Sequence, residues 1–241
     1  MHLSIVIPAW NEEKLLPATL QALHSACASF SAAGLSWEVI VCDNNSTDRT
    51  AEVARAAGAT VVFEPVNQIS RARNTGAAAA SGSWLLFLDA DSTPSAPLMQ
   101  ELAATIARPD VLFGGCALVM DQPLPGAEFF IRQWHRLARW KHWAAGSFFF
   151  VRRDAFTESG GFSLEFFAAE ELELSDRLKK IARRQNQHFV FLTNHPLVTS
   201  ARKLAFRSPA SHFWFMLKTA LTGGRTLKRR ESCDIWYDGR R

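Results

Sequence analysis

Short apolar segments alternate with helix-like segments through the first half of this 241-residue chain. The apolar segments span residues 3–8, 37–42, 60–63 and 84–88, lengths typical of buried strands. Helices are predicted from about Asn11, from the cap-rich turn at residues 45–48 to Gly58, and over residues 71–80. A strand–helix order repeated in this way predicts the α/β fold class, a mostly parallel sheet with helices on both faces.

The second half is less regular. Strands are predicted over residues 111–119, with an interruption at Gly114 and Gly115, and over 148–151 and 189–192. Helices are predicted over residues 126–143 and 170–184. Because no repeat or low-complexity linker separates the two halves, we predict one domain over residues 1–241.

Polar and acidic residues follow the predicted strands of the first half. They are residues 8–12, Asp43 with Asn44 and Asn45, Glu64, and the segment Asp89-Ala90-Asp91. In parallel sheets, ligands bind in the crevice beyond the carboxyl ends of the strands. The sequence therefore predicts that these residues line one crevice that holds a metal or a ribose.

Asp89 and Asp91 follow the apolar strand over residues 84–88. Side chains alternate along an extended chain, so the two carboxylates are expected to point the same way. Such a pair is costly at the end of a buried strand unless a positive charge lies beside it, and a divalent cation would supply one. The alternative is an Asp-capped turn before a helix that starts near Pro94.

The net charge of +4 is concentrated towards the end of the chain, where residues 202–230 contain eight Lys or Arg. No acidic residue interrupts them, so an anionic partner such as phosphate, a lipid head group or nucleic acid is expected. No nucleic-acid-binding motif accompanies the charge, which disfavours that partner. Scattered cysteines, the lack of a signal peptide and the lack of a ~20-residue apolar run predict a cytoplasmic protein.

Four segments, in order and spacing, resemble those of family-2 glycosyltransferases with the GT-A fold. They are residues 5–12 (IVIPAWNE), 39–50 (VIVCDNNSTDRT), 72–76 (ARNTG) and 87–91 (FLDAD). The resemblance implies inverting transfer of a sugar from a nucleotide diphosphate donor to an acceptor. It also implies that residues 1–120 bind the nucleotide sugar and that residues 121–241 bind the acceptor, with Gly160-Gly161-Phe162 similar to an acceptor-side motif.

The resemblance implies roles for the crevice residues. Asp91 would bind Mn²⁺ or Mg²⁺, and Asp89 would contact the ribose or the metal through water. Asp43 would accept a hydrogen bond from the base, commonly uracil, so a UDP-sugar is expected. Further residues expected to bind the donor are Pro8, Ala9, Glu12, Asn45, Arg71, Arg73 and Ala90. Local alternatives are a turn for Asp43, a first helical turn for Glu12, and solvated surface positions for the two arginines.

Glu171 corresponds to the Asp of the family's Glu-Asp pair, so the resemblance makes it the expected base, with Glu170 beside it. A carboxyl with its ordinary pKa is ionised at neutral pH, as a base must be. The alternative is that both simply stabilise the first turn of a helix in which Glu173 pairs with Arg177. Arg202 could clamp the diphosphate, and His195 or His212 could bind the metal or phosphate.

Aromatic residues alternate with arginines and lysine over residues 129–143, and residues 212–218 precede further basic residues. This pattern suits a helix on an anionic membrane surface, or a helix that packs its aromatics on the sheet. The acceptor would then be a carbohydrate or a lipid-linked molecule, and the protein could lie on the inner face of the plasma membrane.

Two other functions are compatible with paired carboxylates on an α/β sheet. A sugar-nucleotide nucleotidyltransferase needs a glycine-rich phosphate loop after its first strand, and residues 8–12 contain no glycine. A non-catalytic nucleotide-sugar-binding module would keep the fold without the chemistry. The presence of Asp89, Asp91 and Glu171 argues against that module.

Overall fold

The computed structural model describes residues 2–28, 30, 34–122, 127–202 and 225–233. The strands are β1 (His2–Ala9), β2 (Ser36–Asp43), β3 (Thr60–Phe63), β4 (Trp84–Leu88), β5 (Ser92–Thr93), β6 (Val111–Met120), β7 (Phe148–Arg152) and β8 (His188–Thr199). The helices are α1 (Leu16–Ala26), α2 (Thr50–Ala56), α3 (Ile69–Ala79), α4 (Ala96–Ile106), α5 (Ala127–Lys141), α6 (Arg153–Ser159) and α7 (Glu170–Gln185). Short 3-10 turns cover Arg225–Lys228 and Arg230–Ser232.

The strands form a single sheet in the order β3-β2-β1-β4-β7-β6-β8-β5. The first four strands pair in parallel, as helical crossovers between them require. The strand β7 runs antiparallel to both β4 and β6, and β5 runs antiparallel to β8. The predicted α/β class with a mostly parallel sheet is confirmed.

Apolar cores cover both faces of the sheet, also as predicted. In β1, Leu3, Ile5 and Ile7 belong to one hydrophobic cluster, whereas Val6 belongs to the other. Helices α1 and α4 contribute to the first cluster, and α6 and α7 contribute to the second. This division follows from the alternation of side chains along each buried strand.

Helix α1 begins at Leu16 instead of near Asn11. Asn11 has φ +54°, a left-handed conformation that cannot continue a right-handed helix. Its amide donates to Ser46 Oγ at 3.0 Å, so the loop after β1 is bonded to the loop after β2. Helix α4 begins at Ala96, after β5. Its N-terminal cap is Ser95, whose side chain accepts a hydrogen bond from the Leu98 amide.

The strand β6 continues through Gly114 and Gly115, where an interruption was expected. Its irregularities lie on either side, between Val111 and Phe113 and between Cys116 and Leu118. Gly114 faces the Phe150 ring and the Val190 carbonyl so closely that a Cβ atom would clash with both. The glycine is therefore required for packing, and the strand is unbroken.

No helix within the described ranges is both long enough and apolar enough to cross a bilayer. The four cysteines are buried, and none forms a disulfide.

Candidate active site

The carboxyl ends of the first three strands meet at one edge of the sheet. Ala9 at the end of β1 pairs with Asp43 at the end of β2, and Asp43 pairs with Phe63 at the end of β3. The Asn44 amide donates to the Ala9 carbonyl at 2.8 Å, which extends this pairing beyond the strands. Ala9 is buried, whereas Pro8 is partly exposed. The predicted gathering of these residues is therefore present.

Asp43 lies at the base of this edge and is mostly buried. Its Oδ1 accepts a hydrogen bond from the Ser46 amide at 3.0 Å, so the turn expected as the alternative is present. Asn45 within that turn is exposed and has φ +64°. One Asp43 oxygen thus shapes the loop, and contact of Asp43 and Asn45 with a base stays a prediction.

Asn44, which was expected only among the polar residues that line the crevice, organises the next loop. Its side-chain amide donates to the Glu64 carbonyl at 3.1 Å and to the Val66 carbonyl at 2.7 Å. Its Oδ1 accepts from the Gln68 amide at 2.9 Å. These bonds connect β2 with the start of α3. The partners of Asn44 in these bonds are backbone groups, which have no sequence signature, so no motif could have revealed them.

The segment Asp89-Ala90-Asp91 leaves the strand, because β4 ends at Leu88 and residues 90 and 91 form a turn. The alternation that would align the two carboxylates therefore does not apply. Asp89 accepts from Arg73 Nη2 at 3.1 Å, whereas Asp91 Oδ2 lies 3.6 Å from Arg202 Nη2. The Ala90 carbonyl accepts from Thr19 Oγ1 at 2.8 Å, which fixes the turn to α1.

Arg202 brings a positive charge to two buried carboxylates. Its Nη2 lies 3.1 Å from both oxygens of Glu12, and Asp91 is its second neighbour. Glu12 is not in the first turn of α1, since its carbonyl accepts from the Leu15 and Leu16 amides ahead of the helix. The expectation that an opposite charge must lie beside Asp91 is met by a side chain of the chain itself.

Arg73 is the centre of a buried charge cluster beneath the crevice. Its guanidinium contacts Glu170 Oε1, donates to Asp89 Oδ1 and donates to the Gly146 carbonyl at 3.0 Å. Burial alone would lower the pKa of Arg73, but the carboxylates of Glu170, Asp89 and Glu171 outweigh it and raise that pKa. Arg73 is therefore charged and positions two acidic groups, and its contact with a diphosphate stays a prediction.

The two glutamates at the start of α7 have different surroundings. Glu170 is buried against Arg73, and burial raises its pKa although Arg73 opposes the change. Glu171 is partly exposed, and within the described part of the chain no other side chain is hydrogen-bonded to its carboxylate. Desolvation, followed by the negative charge of Glu170, raises the pKa of Glu171 to about 8. This raised pKa differs from the ordinary value on which the expected ionisation of Glu171 at neutral pH was based.

Three polar side chains hold the loop before α7 in place, two of them from the start of α3 or from α3 itself and one from α7. Asn74 pairs with the Phe162 backbone through two hydrogen bonds of 2.8 and 2.9 Å. Gln68 donates to the carbonyls of Leu164 and Phe166. Arg177 pairs with Glu173 as expected, and it also donates to the Gly161 carbonyl at 2.7 Å. These bonds set the position of Glu170 and Glu171 relative to Arg73.

Other predicted site residues have weaker connections to this centre. Arg71 is partly buried, and its Nε has no hydrogen-bond partner among the residues described. His195 is exposed beside Asn194, which donates to Glu101 of α4 at 2.9 Å, so the histidine belongs to another surface. His212 and the basic residues between 203 and 224 lie outside the described residues.

The side chains of the site supply only some of the oxygen ligands that a hard divalent cation needs. Asp91 offers buried carboxylate oxygens at the crevice, and Asp89 adds a second carboxylate. Within the described ranges, however, no group of three or more His, Cys, Asp or Glu side chains could hold a metal. One or two carboxylates are what Mg²⁺ or Mn²⁺ uses when phosphate oxygens complete its coordination. The residues therefore fit a cation that binds together with a phosphate ligand.

Comparison with solved structures gives the same fold. A mannosyltransferase from Pyrobaculum calidifontis, in complex with GDP-Man and Mn²⁺, has a TM-score of 0.69 at 18% identity and matches 93% of this chain and 62% of its own. Glucosyl-3-phosphoglycerate synthase from Mycobacterium tuberculosis, with Mn²⁺ and UDP-glucose, has a TM-score of 0.60 at 19% identity over 92% of this chain and 78% of its own. The GT-A fold is thereby shown.

Sequence comparison finds several curated relatives that are named as glycosyltransferases. An uncharacterized glycosyltransferase of Mycobacterium tuberculosis is 36% identical over 103 residues, which are 43% of each chain. Glycosyltransferase AglE of Haloferax volcanii is 35% identical over 119 residues, 46% of this chain and 38% of AglE. The chain thus spans less than half the length of these relatives.

The family model for glycosyl transferase family 2 matches residues 4–160, more than half of the chain. The match includes the segments that hold Glu12, Asp43, Arg73 and Asp91. The match favours this family over the nucleotidyltransferase alternative, whereas a non-catalytic module of the same family would match the model equally. This chain belongs to glycosyl transferase family 2.

Proposed function

We propose that this glycosyltransferase moves a sugar from a nucleotide diphosphate donor, with UDP as the carrier, to an acceptor hydroxyl with inversion at the anomeric carbon. The observation that carries the proposal is the buried chain of contacts Asp89–Arg73–Glu170. It connects the turn that contains Asp91 to the helix that contains Glu171. In this proposal, a carboxylate on the donor side and the base are thereby connected through one buried charge cluster.

In this proposal Asp43, with Pro8, Ala9 and Asn45, binds the nucleoside, since these residues share the carboxyl edge of the sheet. Arg202 and Arg71 bind the diphosphate, and Asp91, helped by Asp89 and Ala90, holds the divalent cation. A bound Mn²⁺ or Mg²⁺ would neutralise charge that develops on the leaving diphosphate. Two solved structures of this fold contain Mn²⁺ together with a nucleotide sugar, which supports the cofactor.

Glu171 is the proposed base. The acceptor oxygen attacks the anomeric carbon, its proton passes to Glu171, and the bond to the diphosphate breaks with its electron pair on the leaving oxygen. A carboxyl with a pKa of about 8 is a stronger base than an ordinary one, provided that it is deprotonated first. Glu170 is the positioning residue, because its carboxylate is already bound by Arg73.

The test measures release of UDP from a panel of UDP-sugars and release of GDP from GDP-mannose, with Mn²⁺ and with a metal chelator. We expect UDP release that requires the metal and falls about 10²- to 10⁴-fold in Glu171→Gln, the usual contribution of a general base. Glu158→Gln, an exposed site on α6 paired with Arg184, is the matched control and should retain activity. Undiminished release in Glu171→Gln would reject Glu171 as the base.

The carrier nucleotide is tested separately by thermal shift. Ligands that bind the folded state raise the unfolding temperature by mass action. We expect UDP with Mn²⁺ to raise it more than GDP with Mn²⁺ does. A larger shift with GDP would replace uridine by guanosine in the proposal, and no shift with any nucleotide would reject it.

A further inference from the structure

Helix α5 presents large apolar side chains to solvent. Phe129, Phe130, Leu137 and Trp140, here called the aromatic face, are 57, 60, 39 and 73% exposed. At ~100° per residue they fall within roughly one-third of the helix circumference. Such residues rarely cluster on the surface of a soluble protein unless the cluster binds a partner.

The opposite side of α5 attaches it to the sheet. Ala138 is fully buried, and His135 Nε2 accepts a hydrogen bond from the Leu118 amide of β6 at 2.9 Å. The helix is therefore oriented by its small and polar residues. The alternative from the sequence, in which the aromatics pack on the sheet, does not hold for the four residues of the aromatic face.

Basic side chains border the aromatic face on both edges. Arg132, Arg136 and Arg139 are exposed along one edge, and Lys141 lies on the other with its Nζ 4.3 Å from the Trp140 ring centroid. Glu128 is the single acidic residue of the helix. An apolar face that is bordered by basic residues matches the interface of an anionic bilayer, where rings enter the head-group region and cations meet phosphates.

The segment that follows α5 leads directly to the buried charge cluster around Arg73. Trp143 Nε1 donates to Asp176 of α7 at 3.0 Å, and the Ala144 amide donates to Ser175 of α7 at 3.3 Å. Two residues later, the Gly146 carbonyl accepts from Arg73. The segment that follows the aromatic face is therefore bonded directly to the helix that contains Glu171.

We infer that α5 docks the enzyme on an anionic membrane surface, with the aromatic face inserted and the flanking arginines on lipid phosphates. The docking itself stands apart from the proposed chemistry. Its consequence for the acceptor, a hydroxyl displayed at the bilayer surface, rests on the proposed function. A second copy of this chain is the competing occupant of the aromatic face.

The test is co-sedimentation of the full chain with vesicles of phosphatidylglycerol and phosphatidylcholine in equal parts, at low and high salt. We expect binding that high salt weakens and that pure phosphatidylcholine does not support. Phe129→Ser with Trp140→Ser should weaken binding at least about 10-fold. Phe63→Ser, which removes an equally exposed ring from β3, should leave binding unchanged.

Charge is tested by Arg132→Gln with Arg136→Gln and Arg139→Gln, which should weaken binding about 10- to 100-fold. The matched control replaces three exposed arginines elsewhere, Arg49, Arg55 and Arg184, and should retain most of the binding. Failure of the intact protein to sediment with anionic vesicles would overturn the inference. So would variants that change the oligomeric state in size-exclusion chromatography while vesicle binding is unaltered.

Release of UDP from the donor, measured without vesicles, separates this inference from the proposed function. Vesicle binding without any nucleotide-dependent activity would reject the proposed chemistry and support the docking. Metal-dependent UDP release without vesicle binding would support the proposed chemistry and overturn the docking.

Discussion

Arg202 and Glu12 lie 190 positions apart in the chain, yet Arg202 Nη2 is 3.1 Å from both oxygens of the Glu12 carboxylate. The same nitrogen is 3.6 Å from Asp91 Oδ2. The arginine is partly exposed, whereas both carboxylates are buried. Arg202, shortly after β8, therefore places its positive charge beside two negative charges that follow the carboxyl ends of β1 and β4.

Replacing Arg202 by Met should lower the free energy of unfolding by about 3 kcal/mol, because it removes a positive charge that lies beside two buried carboxylates. Glu12→Gln should cost less, since the amide oxygen can still accept a hydrogen bond. Urea unfolding of both single variants and of the double variant gives the coupling energy. We expect about 1 to 3 kcal/mol of coupling, and strictly additive effects would contradict the pairing.

The raised pKa of Glu171 predicts a pH-dependent stability. Between its ordinary value of 4.5 and about 8, the unfolded chain releases this proton while the folded protein keeps it. The folded state binds more protons in that window, so stability falls as the pH rises from about 4.5 through about 8. Glu171→Gln removes this contribution, and its unfolding free energy should fall less over the same range. Parallel slopes in urea unfolding at several pH values would argue against the shift.

The same shift predicts that kcat/KM rises with pH and levels off above about 8, because the base must lose its proton in the free enzyme. Arg73 opposes this shift, so Arg73→Met should move the midpoint of the profile to higher pH. Arg73→Lys keeps the charge and should move it less, although Lys lacks the forked geometry. Arg55→Lys on α2 is the control. An unchanged midpoint in Arg73→Met would show that Arg73 does not act through Glu171.

A further prediction concerns the metal. Because the described residues offer no three-ligand cluster, Mn²⁺ alone should raise the unfolding temperature little, and Mn²⁺ with UDP should raise it more than their separate effects combined. Asp91→Asn should remove this synergy and lower kcat/KM about 10²- to 10³-fold. Asp110→Asn, an exposed residue paired with Arg108, serves as the control. A large shift with Mn²⁺ alone would point to a complete protein site.

The sequence predicted most of the sheet, because buried strands and their turns leave local patterns. The strands β3 and β4 have the predicted bounds, Asp43 is the last residue of β2, and Asp89 and Asp91 follow β4. The start of α1 was missed, because the left-handed conformation of Asn11 depends on its contact with the next loop. Patterns of polarity do not contain that information.

The sequence by itself determined the α/β class, the polar residues that lie at the carboxyl ends of the strands, and the family to which the chain belongs. Only the tertiary structure decided how those ends are connected. The contact of Arg73 with Glu170 spans 97 positions, and that of Arg202 with Glu12 spans 190. Such pairs depend on the order of strands in the sheet, and the pKa of Glu171 depends on the desolvation and charge that this order creates. Neither is a property of neighbouring residues, so no local pattern could encode them.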